Sequence, residues 1–195
     1  MGNKTKIPTT TLEWALEYIK RGWKVLPCHR NKRPVTALVP KGSLSASDKA
    51  DVVKAWFAND GEYNIAIATG KNRHGNLMVV DLDIDAEKGK DGPATWEALK
   101  KELGCEFPDT LQQTTGSGGK QFFWWTDAEV PNGVQSKMGP GIDIRGESGY
   151  VLVPPSINNK GPYLWDNWPL VPESAPKALE ERAIHGKPAP SRPAV

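Results

Sequence analysis

The chain has 195 residues, of which 38% are hydrophobic and 25% are charged. That length allows one substantial domain, or two small modules that share a core. The net charge of +2 is too small for the overall electric field to attract nucleic acid, so any such binding must come from local basic patches. The amino-terminal segment lacks the apolar stretch of a signal peptide, and the apolar runs are far shorter than the roughly 18 residues of a membrane span. We therefore expect no membrane association.

The two cysteines, Cys28 and Cys105, belong to no CxxC pair, which excludes a zinc ribbon or finger. Cys28 precedes His29, but the remaining histidines are isolated, so a soft-metal site is disfavoured. Cysteines without such pairing suit a reducing compartment, and we expect a cytoplasmic protein.

The first predicted elements are a helix, a strand and a second helix. Thr10 and Glu13 have the spacing of a capping box, and an apolar stripe at helical spacing continues to Gly22. Residues 23–28 are typical of a strand. Residues 48–58 predict the second helix, capped by a preceding serine and burying two valines and two aromatic side chains.

An exposed basic loop, HRNKRP, lies between this strand and the second helix, at residues 29–34. A charged loop of this kind is often only solvated. Alternatively, Lys32 and Arg33 contact phosphates of a template or of an incoming nucleotide.

Two strands are predicted next, at residues 64–70 and 77–85, and the short turn between them predicts a hairpin. The second strand, LMVVDLDID, ends with aspartates at every second position. Because side chains alternate between the faces of a strand, Asp81, Asp83 and Asp85 would project from one face. Such carboxylates repel each other unless a cation lies between them, and their hard oxygen atoms suit Mg²⁺ or Mn²⁺. The alternative interpretation is a solvated, charged strand end.

A helix is predicted from Pro93 to Gly104, and it crosses over from the aspartate strand to a strand at residues 110–115. Residues 121–126, QFFWWT, are the hairpin partner of that strand. Their aromatic run is more typical of core than of base stacking, because four consecutive aromatic residues must bury at least one face.

The turn of this hairpin lies in the segment TTGSGGKQ, residues 114–121. Its glycines allow backbone amides to approach a phosphate closely, and Ser117 and Lys120 could donate hydrogen bonds to that phosphate. Taken alone, a GSGG sequence is more typical of a plain hairpin turn.

The segment GIDIRG, residues 141–146, places Asp143 and Arg145 on one face of a strand and two isoleucines on the other. We expect this strand to form a third hairpin with residues 150–153. Three carboxylates with an arginine suit nucleotidyl transfer, which needs two metal ions at the reacting oxygens and a fixed cation on the triphosphate.

The carboxyl-terminal part of the chain is rich in proline, alanine and charged residues. Residues 175–184 predict a short helix, and residues 186–195, GKPAPSRPAV, predict a linker. We therefore expect a main domain at residues 1–170, followed at residues 171–195 by a short helix and a proline-rich linker to a partner domain.

The order of three motifs resembles a known family. An aspartate pair ending a hydrophobic strand, then T-x-S-G-G-x-H, then G-[hydrophobic]-D-[hydrophobic]-R-G with GYxxxPPS, is similar to the primase/polymerase domain of the archaeo-eukaryotic primase superfamily, in its bifunctional phage and plasmid form. The upstream segments NKRP and NIAIATG also match, so the resemblance covers about residues 10–168. One position differs, because the family usually has histidine where this chain has Gln121.

The resemblance implies an α/β (α+β) archaeo-eukaryotic primase fold, in which a catalytic sheet like that of the RNA-recognition motif is joined to a smaller α/β module. It also implies primase and DNA polymerase activity, with Asp81, Asp83 and Asp143 holding two Mg²⁺ or Mn²⁺ ions. The residues implied for nucleotide binding are Ser117, Gly118, Gly119, Lys120, Gln121 and Arg145, and those implied for DNA binding are Lys32 and Arg33. The implied partners are nucleoside triphosphates, single-stranded or primer–template DNA, and a fused or separate helicase, and we expect the protein itself to be a monomer.

Two other functions compete with this interpretation. The first is a non-catalytic module that binds nucleotide or single-stranded DNA, and Gln121 supports it because glutamine lacks the charge of a protonated histidine. The second is a metal-dependent nuclease, which would use the same carboxylates but would not need the GSGG turn or Arg145.

Overall fold

The computed structural model describes residues 7–133 and 137–187. Within them the α-helices are α1 (Thr11–Lys20), α2 (Ala50–Trp56), α3 (Gly92–Leu103) and α4 (Lys177–His185). The strands that precede α3 are β1 (Val25–Cys28), β2 (Asn64–Ala68), β3 (Gly70–Asn72), β4 (Gly75–Leu82), β5 (Ile84–Asp85) and β6 (Lys90–Asp91). The later strands are β7 (Gln112–Thr114), β8 (Lys120–Thr126), β9 (Ile142–Arg145), β10 (Tyr150–Val153), β11 (Leu164–Trp165) and β12 (Glu173–Ser174).

The strands form a small sheet and a large sheet, with an additional two-stranded ribbon of β5 and β6. The small sheet is antiparallel in the order β1-β2-β10. The large sheet has the order β11-β7-β8-β4-β3, and β9 and β12 join it beside β4 and β8. Helix α3 connects β4 to β7. These two strands run parallel to each other, and β8 lies between them and is antiparallel to both. The structure therefore confirms the predicted mixed α/β class and the crossover.

Helices α1 and α3 begin where the sequence places capping groups. The Thr10 hydroxyl accepts a hydrogen bond from the Glu13 amide at 3.2 Å, and the Glu13 carboxylate accepts one from the Thr9 amide at 2.7 Å. In α3 the Asp91 carboxylate accepts from the Ala94 amide at 2.9 Å, and Gly104 ends the helix with φ of 61°. These contacts satisfy amides that lack partners inside the helix.

Strand β4 separates two hydrophobic cores. Leu77 and Val79 face a core formed with α1 and the small sheet, whereas Met78, Val80 and Leu82 face a core formed with α3 and α4. Because side chains alternate along the strand, Asp81 lies on the face that is directed toward the small sheet.

The aromatic strand β8 follows the same alternation. Phe123 is fully buried in the first core, and Trp124 is buried in the second with Phe122 packed beside it. The prediction that this run belongs to the core is confirmed.

Two of the three predicted hairpins are wrong. Strand β2 does not pair with β4, because the backbone turns at Gly70, where φ is +81°, and the separate strand β3 then forms the hairpin with β4. Strands β9 and β10 do not pair with each other either, since β9 pairs with β4 and β10 with β2. The chain therefore crosses from the large sheet to the small sheet between β9 and β10, and this crossing brings the two sheets together beside Asp81.

The predicted helices are present with small shifts at their ends. Helix α2 begins at Ala50 with Lys49 as its N-cap and without a side-chain cap, since the Ser47 hydroxyl accepts from the Lys49 amide instead. Helix α4 packs Leu179 and Ala183 into the second core. Most of the predicted linker, residues 188–195, lies outside the described residues. In the part of the chain that the structure describes, every helix is too short or too polar to cross a membrane.

Candidate active site

Two carboxylates face each other on neighbouring strands of the large sheet. Asp81 in β4 and Asp143 in β9 are direct cross-strand partners, and they are 8% and 7% exposed. Burial raises the pKa of Asp81, and the neighbouring Asp83 and Asp143 act in the same direction. A hydrogen bond from Gln121 and the charge of Arg145 act in the opposite direction and lower that pKa. The pair therefore needs positive charge nearby to remain doubly ionised.

Arg145 supplies a positive charge between the two carboxylates. It lies two residues after Asp143 on the same strand face, and its Nη2 atom is 3.1 Å from Asp143 Oδ2 and 3.4 Å from Asp81 Oδ2. The guanidinium side chain is 33% exposed, whereas the carboxylate side chains are 11% and 9% exposed. Arg145 thus lies between the buried carboxylates and solvent, and its positive charge neutralises one of their two negative charges.

Asp83 lies just beyond the end of β4, where two glycines hold the backbone. Its amide donates to the Gly141 carbonyl at 2.7 Å, and its carbonyl accepts from the Gly92 amide at 2.9 Å. A Cβ atom on Gly92 would lie 2.5 Å from the Gly141 carbonyl oxygen, so this close approach requires glycine. The Asp83 side chain is 43% exposed and lies 4.0 Å from Lys90 Nζ. The structure thus brings Asp81 and Asp143 together and places Asp83 at the solvent-exposed end of the strand.

The GSGG turn packs against the end of β4. A Cβ atom on Gly119 would lie 2.5 Å from the Leu82 carbonyl oxygen, so the turn can approach the strand only with glycine here. Ser117 and Gly118 are exposed at the tip, and Ser117 Oγ is 3.2 Å from Thr115 Oγ1. The turn therefore exposes the Ser117 hydroxyl near the end of β4.

Lys120 lies on the opposite face of the sheet from Asp81. Its cross-strand partners are Thr114 and Leu82, and Leu82 faces the core formed with α3 and α4. Lys120 Nζ donates to Thr114 Oγ1 at 2.7 Å and lies 2.9 Å from Asp166 Oδ2. The structure does not bring Lys120 together with the carboxylate pair.

Gln121 lies on the carboxylate face and is only 5% exposed. It is the cross-strand partner of Asp81 on one side and of Gln113 on the other. Gln113 Nε2 donates to Gln121 Oε1 at 2.6 Å, and the Gln121 amide lowers the pKa of the neighbouring Asp81 carboxyl. The position that departs from the family motif is therefore connected directly to a candidate catalytic carboxylate.

A cavity of about 240 Å³ opens where the two sheets meet. Its lining includes both sequence-predicted and unpredicted residues: Lys32, Asp81, Gln121, Arg145, Tyr150 and Tyr163. Lys32 is fixed beside it in an αL conformation, with φ of 71°, and its carbonyl accepts from the Tyr150 hydroxyl at 3.2 Å. Arg33 follows as an exposed residue of the same loop.

Two tyrosines of the cavity were not predicted as site residues. Burial raises the pKa of Tyr163 to about 12, and its hydroxyl accepts from Asn158 Nδ2 at 3.2 Å. Burial also raises the pKa of Tyr150. Single aromatic residues in GYVLVPPS and PYLW give no local signal of a site, because long-range pairing, of β10 with β2 and of β11 with β7, places their segments at the cavity.

The family model for the bifunctional DNA primase/polymerase N-terminal domain matches residues 15–178. The chain belongs to this family. A search of curated proteins found no match. The match includes both sheets, the carboxylate pair, the GSGG turn and the basic loop, and it confirms the resemblance seen in the motifs. Membership indicates a nucleotidyltransferase of the DNA primase/polymerase type, whose substrates are nucleotides and DNA.

Primase/polymerase domains normally use divalent metal ions. Within residues 7–133 and 137–187, no three His, Cys, Asp or Glu side chains converge closely enough to hold a metal ion. Asp81 and Asp143 nevertheless fit such an ion, because two hard-oxygen carboxylates face each other and already have a cationic group between them.

Proposed function

We propose that this chain catalyses template-directed addition of nucleotides to DNA, both as a primase and as a polymerase. The observation that carries the proposal is the buried pair Asp81 and Asp143, bridged by Arg145 at a cavity between the two sheets. A binding module would gain little from two buried carboxylates that repel each other. Nucleotidyl transfer uses such a pair, because its reacting oxygens carry negative charge that metal ions must offset.

Asp81, Asp83 and Asp143 would hold Mg²⁺ or Mn²⁺ in this proposal. When bound, these ions would activate the attacking 3′-hydroxyl and stabilise the leaving pyrophosphate. Asp83 suits the role of an adjustable third ligand, since its backbone is fixed by two hydrogen bonds while its side chain is exposed.

The triphosphate would bind beside the carboxylates. Arg145 can reach it because the guanidinium side chain, which contacts the aspartates at 3.1 and 3.4 Å, is one-third exposed. We include the remaining predicted nucleotide ligands in the proposal: Ser117, Gly118, Gly119, Lys120 and Gln121. Of these, Ser117 and Gly118 are exposed at the turn, whereas Lys120 would have to leave Asp166 to take part.

Lys32 and Arg33 would contact DNA phosphates. The positions of these two residues support this role, because Lys32 lines the cavity and Arg33 is exposed beside it. The loop can therefore hold a DNA strand next to the site. We further propose a cytoplasmic monomer that acts in phage, plasmid or prophage replication with a fused or separate helicase.

Pyrophosphate release tests the proposed function. Wild-type protein should release pyrophosphate only when Mn²⁺ or Mg²⁺, a primed template and complementary nucleotides are all present. Asp143→Asn should lose this release, whereas the matched control Asp48→Asn, at an exposed ion pair with Arg73, should retain it. Nucleotide binding without release would favour the binding module, and shortening of the DNA would favour the nuclease.

A further inference from the structure

A row of polar side chains crosses four strands of the large sheet. Gln113 pairs with Gln121, Gln121 with Asp81, and Asp81 with Asp143, each as a direct cross-strand partner. All four residues are less than a tenth exposed, and Gln113 is fully buried. The last three of these residues belong to the predicted site, whereas Gln113 does not.

The hydrogen bonds in this row have a single direction. The Leu152 carbonyl of the small sheet can only accept, and Gln113 Nε2 donates to it at 2.7 Å. The same Nε2 atom donates to Gln121 Oε1 at 2.6 Å, so the group that Gln121 can offer to its cross-strand partner Asp81 is its amino group, and this amide lowers the pKa of that carboxyl. The Leu152 carbonyl at one end and the Asp81 carboxylate at the other are both acceptors. They therefore determine which side of each glutamine amide carries the oxygen and which carries the amino group.

Packing alone does not explain the Gln113 side chain, because burying its amide costs free energy of desolvation. Its Oε1 atom is buried and has no hydrogen-bond partner among the described residues. An apolar side chain of similar length would avoid burying an unpaired carbonyl oxygen. The amide is thus better explained by what its amino group holds than by the volume it fills.

We propose that Gln113 is a positioning residue, which acts through Gln121 to hold the Asp81 carboxylate in one orientation. Gln113 anchors the row to the small sheet at Leu152, so the orientation of Asp81 depends on how the two sheets are docked. The catalytic consequence rests on the proposed function, whereas the relay of hydrogen bonds does not.

The relay can be tested by NMR of the Gln121 side-chain amide. Gln113→Met keeps the length of the side chain and removes both of its hydrogen bonds. We expect it to shift the Gln121 amide resonances and to speed their exchange with water, and Asp81→Asn should shift the same resonances. Gln112→Met is the matched control, since it is the same change on the same strand but on the opposite face. Gln121 resonances that do not respond to Gln113→Met would overturn the proposal.

Kinetics and metal affinity test the positioning role. Loss of a residue that orients a metal ligand typically costs 10- to 100-fold, so we expect Gln113→Met to lower the rate of nucleotide addition about tenfold, with the nucleotide KM nearly unchanged. In a Gln121→Met background the same change should have no further effect, because the relay is already broken. In a Gln121→His background it should still have an effect, since a neutral histidine can accept from Gln113 and donate to Asp81.

Failure of the proposed function can be told apart from failure of the relay. If the wild type adds no nucleotide, the proposed function fails, and Mn²⁺ affinity then decides the positioning role. Gln113→Met should weaken Mn²⁺ binding about tenfold relative to Gln112→Met. Equal Mn²⁺ affinity of the two variants, or an undiminished effect of Gln113→Met in the Gln121→Met background, would overturn the proposal.

Discussion

Replacing Arg145 by methionine should destabilise the protein, and a divalent ion should reverse much of that loss. Methionine keeps most of the aliphatic length but removes the charge that bridges Asp81 and Asp143. The two aspartates, which are 8% and 7% exposed as whole residues, would then face each other without the charge of Arg145.

The size of the effect follows from burial and geometry. Removing the partner of a fully buried charge costs about 3 to 5 kcal/mol, and an exposed ion pair is worth about 0.2 to 1 kcal/mol. Arg145 lies between these limits, because its side chain is one-third exposed while both aspartates are buried. We therefore expect Arg145→Met to lower the free energy of unfolding by about 2 kcal/mol in EDTA.

Urea denaturation in EDTA and in MnCl₂ measures both parts of the prediction. An ion that binds only the folded state at 100 times its Kd adds about 2.7 kcal/mol, and the variant should gain more than the wild type because no guanidinium competes for the carboxylates. The control is Arg73→Met, which removes an exposed ion pair with Asp48 and should cost at most about 1 kcal/mol under both conditions. An Arg145→Met loss that is the same in EDTA and in MnCl₂ would refute this reasoning.

Three further predictions concern other parts of the site. Asp83→Asn should abolish nucleotide addition while changing the free energy of unfolding by less than about 0.5 kcal/mol, because the side chain is exposed; a normal rate would remove Asp83 from the metal ligands. Neutralising Lys32 and Arg33 together should flatten the plot of log DNA affinity against log salt by about two, and an unchanged slope would mean that the loop is only solvated. The pKa of Asp81 is raised, so the folded state binds the proton of this carboxyl more tightly than the unfolded chain does. The contribution of Asp81 to the free energy of unfolding therefore decreases as pH rises from the ordinary pKa of 3.8 to the raised pKa of the folded state. Denaturation at several pH values should therefore show Asp81→Asn gaining stability relative to wild type as pH rises above about 4, and a stability difference that does not change with pH would contradict this.

Local chemistry made several elements of the fold predictable. The capping box of α1, the glycine end of α3 and the hairpin of β7 with β8 all depend on neighbouring residues. The alternation in β4 and β9 likewise predicted that Asp81 and Asp143 would share a face. Period-two patterns predict which way a side chain points, because that follows from the backbone of a single strand.

Strand pairing across the two sheets was less accessible from sequence. A period-two pattern does not specify the partner of a strand, so the pairings of β10 with β2 and of β11 with β7 were missed, and Tyr150 and Tyr163 were missed with them. The strand face on which Lys120 lies was not accessible from sequence for a related reason. Its place after the GSGG turn suggested a phosphate ligand, but the register with Thr114 turns it toward Asp166, on the other face.

Extension of a labelled primer by a single complementary nucleotide tests the central claim most directly. With Mn²⁺ and a primed template, the wild type should lengthen the primer by one nucleotide, and Asp143→Asn should leave it unchanged while remaining folded. A primer that wild-type protein binds but does not extend, or that Asp143→Asn extends at the wild-type rate, would contradict the account.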